Sequence, residues 1–292
     1  MKSLSKLFTS ILPAIALIFL LPEGLFAQEM RVMSYNIRYK NTIDSINGWE
    51  YRKENVAALI RYHRADVVGL QEVQPAQLAD LEKMLPEFAW YGVPRVEGPS
   101  GEYTAVFYRK SRFTLEGSGT FWMSETPDVK ESKSWDAFYP RTASWCKLKD
   151  KTAKKTFFFF NTHLDHRGEI ARQESAKVIL EQIRRHTLRH TGQPAVIVTG
   201  DFNATPESVT YQNLTKDGIL KDAIGLSETP HYGPVRTSSG FFVRKEPLRA
   251  KIDFIFVSDK VRVLQHATIT DQQEGRYYSD HLPVIAVVEV KK

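Results

Sequence analysis

The sequence predicts an α+β protein in which packed β-sheets are flanked by helices. Short apolar segments rich in Val, Ile, Phe and Tyr recur along the chain, which is typical of buried strands. A few amphipathic segments lie between some of them, without the strict alternation of strand and helix that a parallel sheet requires. No linker, low-complexity tract or internal repeat interrupts residues 28–292, so these residues are predicted to form a single domain.

The segment 1–27 is predicted to be a secretory signal peptide. Lys2 and Lys6 precede an apolar run over 11–21, and the small residue Ala27 offers a cleavage point. A Pro-Glu-Gly sequence ends this run well short of the roughly 20 apolar residues that a spanning helix needs. An exported protein, periplasmic or extracellular, is therefore expected, with an uncleaved membrane anchor as the alternative. No Cys lies near the cleavage point, so no lipoprotein attachment is expected there.

Eight later segments are predicted strands, because each is short and mostly apolar, β-branched or aromatic. They span 31–35, 66–70, 104–108, 143–148, 157–160, 195–198, 252–257 and 284–290. The last one, VIAVVEV, is apolar over most of its length, which predicts that both of its faces are covered.

Three segments repeat apolar residues at helical spacing and are predicted helices, over 50–64, 75–85 and 168–189. In the third, we expect these residues to face inward: Ile170, Ala176, Ile179, Leu180 and Ile183. Gly and Pro cluster at 92–101 and 225–247, which predicts loops, and the second loop is long enough to carry function.

The composition is that of a soluble globular protein, with 42% apolar and 25% charged residues. A chain of 292 residues can bury a large core, so it needs no disulfide to fold. The net charge of +6 is a mild basic excess that fits an anionic substrate without identifying one. Cys146 is the only cysteine, so it cannot form an intrachain disulfide, and its strand-like surroundings predict a small packing residue.

Polar side chains stand at the ends of most predicted strands. Any one of them could be a turn residue, because turns favour Asn and Asp. Glu72 is not a favoured turn residue, and Asp253 lies between apolar neighbours where a carboxylate needs a partner. The set consists of Asn36, Glu72, Tyr108, His163, Asp201, Asn203, Asp253, Asp280 and His281. Gathered at one rim of a sheet, these residues would form a site for a hard cation such as Mg²⁺, which prefers oxygen ligands and retains several waters.

Seven motifs occur in an order that is similar to one known superfamily. They are SYNIR (34–38), LQEV (70–73), FYR (107–109), NTHLDHRGEIARQESA (161–176), GDFNATP (200–206), IDFIFV (252–257) and SDHLPV (279–284). The chain resembles the endonuclease/exonuclease/phosphatase superfamily, whose deoxyribonuclease-I-like fold is shared by abasic-site endonucleases, deadenylases, sphingomyelinases and inositol-polyphosphate phosphatases. The resemblance implies a four-layer αββα sandwich of two mostly antiparallel sheets, with helices on the outer faces and the site at one end.

The resemblance also implies roles for individual residues. Glu72 would bind Mg²⁺, with Mn²⁺ as the alternative ion, Asn36 close by and Asp280 near the metal. Asp201 would orient or deprotonate the attacking water. His281 would contact the scissile phosphate, with Asp253 fixing its tautomer. The residues expected to contact phosphoryl oxygens are Asn203, His163 and Tyr108, with Arg141 as an added phosphate-facing cation.

One departure from the pattern bears on the branch of the superfamily. Abasic endonucleases usually have an acid two residues after the first Asn, and Arg38 stands there instead. The NTHLDH motif followed by an Arg-containing helix resembles the deadenylase-like and secreted bacterial members more closely.

The function expected from this resemblance is an exported Mg²⁺-dependent phosphodiesterase or nuclease that uses in-line attack of water, with a 3'-5' exonuclease mode as one option. The alternatives are a phosphomonoesterase or a lipid-headgroup hydrolase of the sphingomyelinase or inositol-phosphatase kind, and, third, a non-catalytic binding module. The expected partner is a phosphoester substrate, with a nucleic acid as one candidate, and the protein is expected to be a monomer without stable membrane association. Candidate nucleic-acid contacts are Trp122, Trp135, Tyr139, Arg141, Tyr232, Arg236, Phe241, Phe242, Arg244 and Lys245, and only 240–243 suggests an apolar hairpin for lipid.

Overall fold

The computed structural model describes residues 29–188, 194–243 and 249–291. The predicted signal peptide, Arg189, Arg244 and Lys245 lie outside the described residues. None of the helices within the described ranges is long and apolar enough to cross a membrane.

The helices lie outside two large sheets. The α-helices are α1 (Lys53–Tyr62), α2 (Pro75–Met84), α3 (Glu169–Thr187) and α4 (Val209–Thr215), and short 3-10 turns span Thr42–Asn47, Trp49–Tyr51 and Ala223–Leu226. The strands are β1 (Met30–Asn36), β2 (Val67–Val73), β3 (Phe88–Tyr91), β4 (Tyr103–Arg109), β5 (Phe113–Trp122), β6 (Thr142–Asp150), β7 (Thr156–His163), β8 (Ala195–Asp201), β9 (Lys221–Asp222), β10 (Asp253–Val257), β11 (Val261–Thr268), β12 (Gln272–Gln273), β13 (Arg276–Tyr277) and β14 (Val284–Val290).

Each large sheet has six strands and is mostly antiparallel. The first has the order β11-β14-β1-β2-β4-β3, and the second has the order β5-β6-β7-β8-β10-β9. One pair in each sheet is parallel, β1 with β2 and β7 with β8. These two pairs lie near the middle of their sheets. The carboxyl ends of all four strands point to the same end of the protein.

Three apolar layers hold the sheets and helices together. Alternate residues of β7 pack into two of these layers, because successive side chains of a strand point to opposite faces of the sheet. Phe157 and Phe159 point between the sheets, where they pack with Val32 and Ile255. The outer layers form where α1 and α2 cover the first sheet and α3 covers the second. The predicted four-layer α+β sandwich is therefore confirmed.

The predicted strands and helices exist, with differences at their ends and a few omissions. All eight predicted strands are present within a few residues of the expected bounds. Strand β5 was not predicted, and neither were β3, β9 and the strands between Val261 and Tyr277. In α3, Ile170 is 54% exposed, contrary to expectation, because it lies in the first turn, beyond the edge of the sheet core.

A buried polar network ties the two sheets together beneath the polar end. Gln71 Nε2 donates to Oδ1 of Asn161 at 2.6 Å, and Asn161 Nδ2 donates back across the interface to the Leu70 carbonyl at 2.8 Å. Thr199 Oγ1 donates to the same Asn161 oxygen at 3.1 Å. A side chain at Gly69 would collide with this network, since a Cβ there would lie 2.1 Å from Thr199 Oγ1. The network fixes the distance between the sheets directly under the candidate site.

Candidate active site

Polar residues from both sheets converge at one end of the sandwich. In the second sheet, His163 and Asp201 end the parallel strands β7 and β8, and Asp253 begins the antiparallel strand β10. The strand register places His163 and Asp253 on either side of Asp201. In the first sheet, Asn36 ends β1 and Glu72 lies one residue before the end of β2. The parallel strands thus contribute their carboxyl ends, and β10 contributes its amino end.

The amide of Asn36 connects the two sheets at the centre of this cluster. Its Nδ2 donates to Oε1 of Glu72 at 3.1 Å and to Oδ2 of Asp201 at 3.0 Å. Its Oδ1 accepts from the backbone N–H of Arg38 at 3.0 Å. Because both ends of the amide are engaged, Asn36 holds two carboxylates within hydrogen-bond reach of a single nitrogen atom.

The backbone of Glu72 is in the left-handed region, with a φ of 63°. The register of β2 against β4 shifts at this point, so a β-bulge re-aims the side chain. Such a conformation costs a non-glycine residue on the order of 1 kcal/mol or more and tends to occur at functional sites. Arg38 and Asn203, which also line the site, have positive φ angles of 57° and 46°. Three residues that line the site, Glu72 among them, therefore have strained backbones.

Glu72 is held as an ionised carboxylate. Its Oε2 accepts from the backbone N–H of Tyr39 at 3.0 Å. Burial by itself would raise the pKa of Glu72, but the Tyr39 N–H, the charge of His281 and the Asn36 amide outweigh burial and lower that pKa. A buried carboxylate that stays charged is suited to a cation.

Asp201 is the central carboxylate of the second sheet. Its Oδ1 accepts from the backbone N–H of Asn203 at 2.9 Å, and its Oδ2 lies 3.6 Å from His163 Nε2 and 3.8 Å from His281 Nε2. Burial, followed by the charge of Asp253, raises the pKa of Asp201 to about 7. A carboxylate with this pKa can take a proton from water near neutral pH.

His281 forms a hydrogen-bonded dyad with Asp253. Its Nδ1 lies 2.8 Å from Oδ2 of Asp253, and Thr237 Oγ1 donates to the same oxygen at 2.5 Å. Burial would lower the pKa of His281, but the charges of Asp253 and then Asp201 raise it well above its usual value. The Nε2 atom therefore carries a proton, and it points toward Asp201.

His163 has the opposite electrostatic environment. Burial, followed by the charge of Arg141, lowers the pKa of His163 well below its usual value. The two histidines on either side of Asp201 thus differ in charge at neutral pH, with His281 cationic and His163 neutral. A neutral imidazole can still donate one hydrogen bond to a phosphoryl oxygen.

Asp280 lies beside Arg38 at the rim of the site. Oδ2 of Asp280 is 3.7 Å from NH1 of Arg38, and Nε of Arg38 is 3.1 Å from Oδ2 of Asp44. Burial raises the pKa of Asp280, and the neighbouring carboxylate of Glu72 raises it further. A bound cation would relieve this repulsion between carboxylates.

Arg141 is a buried guanidinium with one free nitrogen. Its Nε lies 3.5 Å from Oδ2 of Asp165 and its NH2 lies 3.0 Å from Nδ1 of His166. The side chain is only 5% exposed, and its NH1 is buried without a hydrogen-bond partner among the described residues. Buried polar groups are normally satisfied, so this nitrogen is available to an anion in the adjoining cavity.

These residues surround one cavity of about 520 Å³, within the usual range for small-molecule sites. The side chains that line it are Arg38, Tyr39, Glu72, Gln74, Arg95, Val96, Ser100, Glu102, Tyr139, Arg141, His163, His166, Asp201, Asn203, Asp280 and His281. Asn36 and Asp253 lie behind this wall and orient Glu72, Asp201 and His281.

The structure contradicts the prediction for Tyr108. Tyr108 pairs with Val67 at the start of β2, so it lies at the end of the sandwich remote from the cavity. It is buried in the core between the sheets beside Phe113. Strand β4 is antiparallel to β2, so its carboxyl end points away from the site. Its amino end approaches the site instead, and Glu102, directly before β4, lines the cavity.

Only some of the candidate residues for nucleic-acid or lipid contact lie at the cavity or on the surface. Of the residues considered, Tyr139 and Arg141 line the cavity. Trp122 and Phe241 are buried, whereas Tyr232 is 75% exposed and does not line the cavity. Because Phe241 packs inward, the apolar segment 240–243 presents mainly Phe242 and Val243, and it is a poorer lipid hairpin than the sequence suggested. Trp135 and Arg236 are not among the cavity-lining residues.

Several residues of the site were not predicted. Arg95, Glu102 and His166 line the cavity, and Thr237 holds Asp253. His166 lies inside the NTHLDH motif and could have been noticed there. Thr237 lies in the long loop that the sequence marked as potentially functional. Arg95 and Glu102 lie in or beside a Gly- and Pro-rich loop, where the sequence gives no signal of its own.

The donor atoms fit a divalent cation. Asp201, Asp253 and His281 each place one donor atom within 4.8 Å of the others. Two of these side chains are already joined in the His281–Asp253 dyad, so they are less free to bind a metal. Glu72 and Asp280 supply further carboxylates in the same cavity, and a hard cation such as Mg²⁺ prefers oxygen ligands of this kind. Glu72, with Asp280 in the same cavity, would hold the ion, and the Asn36 amide, which is engaged at both ends, would orient Glu72.

Comparison with known proteins agrees with this fold. The chain matches the Endonuclease/Exonuclease/phosphatase family over residues 33–281. It therefore belongs to this family, and its class is that of a phosphoesterase.

Two solved structures and one curated protein show where the chain stands in the family. It is 39% identical to a family member from Bacteroides vulgatus, with a TM-score of 0.84 over 90% of this chain and 99% of that one. It is 36% identical to a mannosyl-6-phosphatase from Bacteroides thetaiotaomicron, with a TM-score of 0.83 over 89% of this chain and 99% of that one. It is 25% identical over 295 residues to a probable CCR4-Not complex 3'-5'-exoribonuclease subunit Ccr4 of Vairimorpha ceranae, covering 83% of this chain and 59% of that protein. The likeness to the deadenylase-like branch is thus confirmed, although this chain spans little more than half of that relative.

Proposed function

We propose that this protein is a divalent-metal-dependent phosphomonoesterase that acts on a small hydroxylated molecule such as a sugar phosphate. The observation that carries the proposal is the buried, unpartnered NH1 of Arg141 in a cavity of about 520 Å³. A terminal phosphate presents up to three free oxygens and a double negative charge, and Arg141 offers a fixed cation for it. The similarity to a mannosyl-6-phosphatase over almost the whole of both chains supports a sugar phosphate.

The residues of the chain have separable tasks in this reaction. Arg141 and the neutral His163 bind phosphoryl oxygens, and the Asn203 side chain, anchored by its Nδ2 to the Leu164 carbonyl at 3.1 Å, borders the same space. Asp201 accepts a proton from the attacking water. His281, cationic and oriented by Asp253, donates from Nε2 to the charge that develops on the phosphoryl group.

The cation contributes charge neutralisation and orientation of water when it is bound. Glu72 would hold it, because this carboxylate is ionised, buried and fixed by the Tyr39 N–H. The strained backbone of Glu72 keeps the side chain in position without a ligand, so little reorganisation is needed when the ion binds. Mg²⁺ is the expected ion and Mn²⁺ a possible substitute.

A second candidate function is hydrolysis of a phosphodiester in a nucleic acid, as the sequence first suggested. The specific observation in its favour is Tyr139, which is 41% exposed, lines the cavity and lies parallel to the ring of His166 at 5.9 Å. An exposed ring beside the phosphate site could stack on a base. The similarity to an exoribonuclease subunit supports the same idea.

We also propose that the protein is exported, either to the periplasm or out of the cell, and acts as a monomer. Export is supported by the basic residues and apolar run that precede Ala27. Fractionation of cells that express the full chain, followed by N-terminal sequencing of the recovered protein, tests both export and the cleavage point.

A substrate panel tests the function. Phosphate release and strand cleavage are measured on mannose 6-phosphate, an inositol phosphate, single-stranded RNA and DNA, sphingomyelin and bis(p-nitrophenyl) phosphate, with EDTA and after addition of Mg²⁺ or Mn²⁺. We expect the sugar phosphate to give the highest kcat/KM, and EDTA to abolish turnover until metal is restored. Preference for the oligonucleotides would replace the first proposal by the second. Turnover of no substrate in the presence of metal would favour a binding module.

A further inference from the structure

We propose that Glu102 selects the organic part of the substrate, by accepting hydrogen bonds from its hydroxyl groups. This inference rests on the proposed function, because it concerns the same cavity. It assigns a task to a residue that neither the family motifs nor the metal site requires.

Glu102 is fixed in the cavity wall by an arginine. Arg95 NH2 donates to Oε1 of Glu102 at 2.7 Å, and the Arg95 backbone N–H donates to the Glu102 carbonyl at 2.9 Å. The Arg95 guanidinium lies 4.5 Å above the ring of Tyr139. The side chains of Arg95 and Glu102 are only 11% and 13% exposed. The pair is therefore a rigid element with one side facing the cavity.

The second oxygen of Glu102 is available to a ligand. No described residue donates a hydrogen bond to Oε2. This oxygen is also not among the fully buried atoms that lack partners, so it is accessible from the cavity. Arg95 thus positions the carboxylate and leaves one acceptor exposed.

A carboxylate in this place is unfavourable for a site that binds only phosphate. It repels the phosphate dianion, and it adds to the negative charge of Glu72, which together with burial raises the pKa of Glu102 to about 7. Oε1 of Glu102 offsets the charge of the nearly buried Arg95, but Oε2 takes no part in this pair. The Glu102 carboxylate disfavours phosphate binding but faces the ligand. This placement is explained if the ligand carries a hydrogen-bond donor.

Hydroxyl groups fit this wall better than other donors do. A hydroxyl both donates and accepts, so it can donate to Glu102 and accept from the guanidinium of Arg95 at the same time. A protonated amine could donate to Glu102 but could not accept from Arg95, so it would satisfy only one member of the pair. The chemistry therefore points to a polyol or sugar that carries the phosphate, with a hydroxyl in reach of the Glu102–Arg95 pair.

The test compares Glu102→Gln with a matched control, Glu181→Gln, on the exposed side of α3. The probes are mannose 6-phosphate, its 2-, 3- and 4-deoxy analogues, and p-nitrophenyl phosphate, which has no hydroxyl group in its leaving group. For Glu102→Gln, we expect the ratio of kcat/KM on mannose 6-phosphate to kcat/KM on p-nitrophenyl phosphate to fall about 10-fold or more, the effect of losing one charged hydrogen bond. The control is expected to retain the wild-type ratio.

The deoxy analogues separate hydroxyl recognition from a general loss of fit. One analogue should be a poorer substrate than mannose 6-phosphate for the wild type, by about 10-fold or more, and Glu102→Gln should lose most of that discrimination. Equal loss on all probes, with an unchanged ratio, would show that Glu102 only shapes the cavity and would overturn the inference. Wild-type turnover of p-nitrophenyl phosphate without any preference for the sugar phosphate would overturn it as well. Turnover of neither phosphomonoester would remove the proposed function, and the inference with it.

Discussion

The two ends of the sandwich use charged residues in opposite ways. At the closed end, Arg112 bridges two carboxylates, with NH1 2.9 Å from Oδ2 of Asp66 and NH2 2.9 Å from Oδ2 of Asp150. Each of these acids also accepts backbone N–H groups, from Arg31 in one case and Thr152 in the other. At the open end, carboxylates face one another around a cavity, and NH1 of Arg141 has no hydrogen-bond partner among the described residues. NH2 of Arg112 also lacks a well-aligned hydrogen bond, but it lies 2.9 Å from a carboxylate oxygen.

The difference separates charges that support folding from charges that wait for a ligand. At the closed end, Asp66 and Asp150 each accept from Arg112 and from a backbone N–H group, so these interactions form in the folded chain alone. At the open end, burial raises the pKa values of Asp201 and Asp280, with Asp253 adding to the first and Glu72 to the second, which costs stability. Such an arrangement is typical of an active site, where stability is exchanged for function.

The largest expected effect is the loss of activity from Asp201→Asn. This change removes the proposed proton acceptor while keeping the size of the side chain, so kcat should fall by about 10³-fold. Stability should not fall, because a buried carboxylate with a raised pKa is replaced by a neutral amide. Steady-state kinetics on the best substrate of the panel and urea unfolding measure the two quantities. Asp66→Asn at the closed end is the control and should retain kcat; a similar loss of kcat in both variants would contradict the distinction between the ends.

A smaller effect, on stability and not on activity, is expected from Arg112→Met. The variant leaves Asp66 and Asp150 mostly buried without their shared cation, so the free energy of unfolding should fall by about 2–4 kcal/mol. Activity per folded molecule should be that of the wild type, since Arg112 lies at the opposite end from the cavity. Urea unfolding and assays at a temperature where the variant is folded give the two values. An unchanged free energy of unfolding would mean that the closed end contributes no more than exposed ion pairs do.

Much of the open end could be predicted from sequence because parallel strands present their carboxyl ends together. Asn36, His163 and Asp201 follow apolar runs, and all three lie at the cavity end. The same reasoning failed for Tyr108, because it also follows an apolar run but ends an antiparallel strand. Strand direction depends on pairing across the sheet, which a single segment does not encode. Glu102 was missed for the same reason, since it precedes that strand.

Strand β5 was missed because packing, and not propensity, determines it. Gly117 and Gly119 weaken the strand signal of FTLEGSGTFW. A Cβ at Gly119 would lie 2.7 Å from Nε1 of Trp145 on the neighbouring strand, so the glycine provides space for the indole ring. The bulge that re-aims Glu72 likewise depends on its partner strand β4. The sequence shows which residues are unusual, but it does not show the neighbours that make them necessary.

The smallest expected effect is a dependence of stability on pH that comes from the open end. In the metal-free protein, burial and then the charge of Asp253 raise the pKa of Asp201 to about 7. In the folded state Asp201 therefore keeps a proton that it releases near pH 4 in the unfolded chain. Between about pH 4 and pH 7, its contribution to the free energy of unfolding falls as the pH rises. His281 adds no slope below pH 6.5, because its raised pKa leaves it protonated in both states. Glu102 and Asp280 act in the same direction as Asp201. His163 acts in the opposite direction, because burial and then the charge of Arg141 lower its pKa, so the contribution of Asp201 is measured as the difference between wild type and variant.

Urea unfolding with EDTA at pH 4.5 and 6.5 measures this dependence. Asp201→Asn should reduce the wild-type decrease in unfolding free energy by about 2 kcal/mol. Asp66→Asn at the closed end should leave the contribution of Asp201 in place. Addition of Mg²⁺ should also reduce the decrease in the wild type, because the cation offsets the repulsion between carboxylates. If Asp201→Asn retained the full wild-type decrease, the charge conflict would not lie around Asp201, and the contrast between the two ends would lose its electrostatic basis.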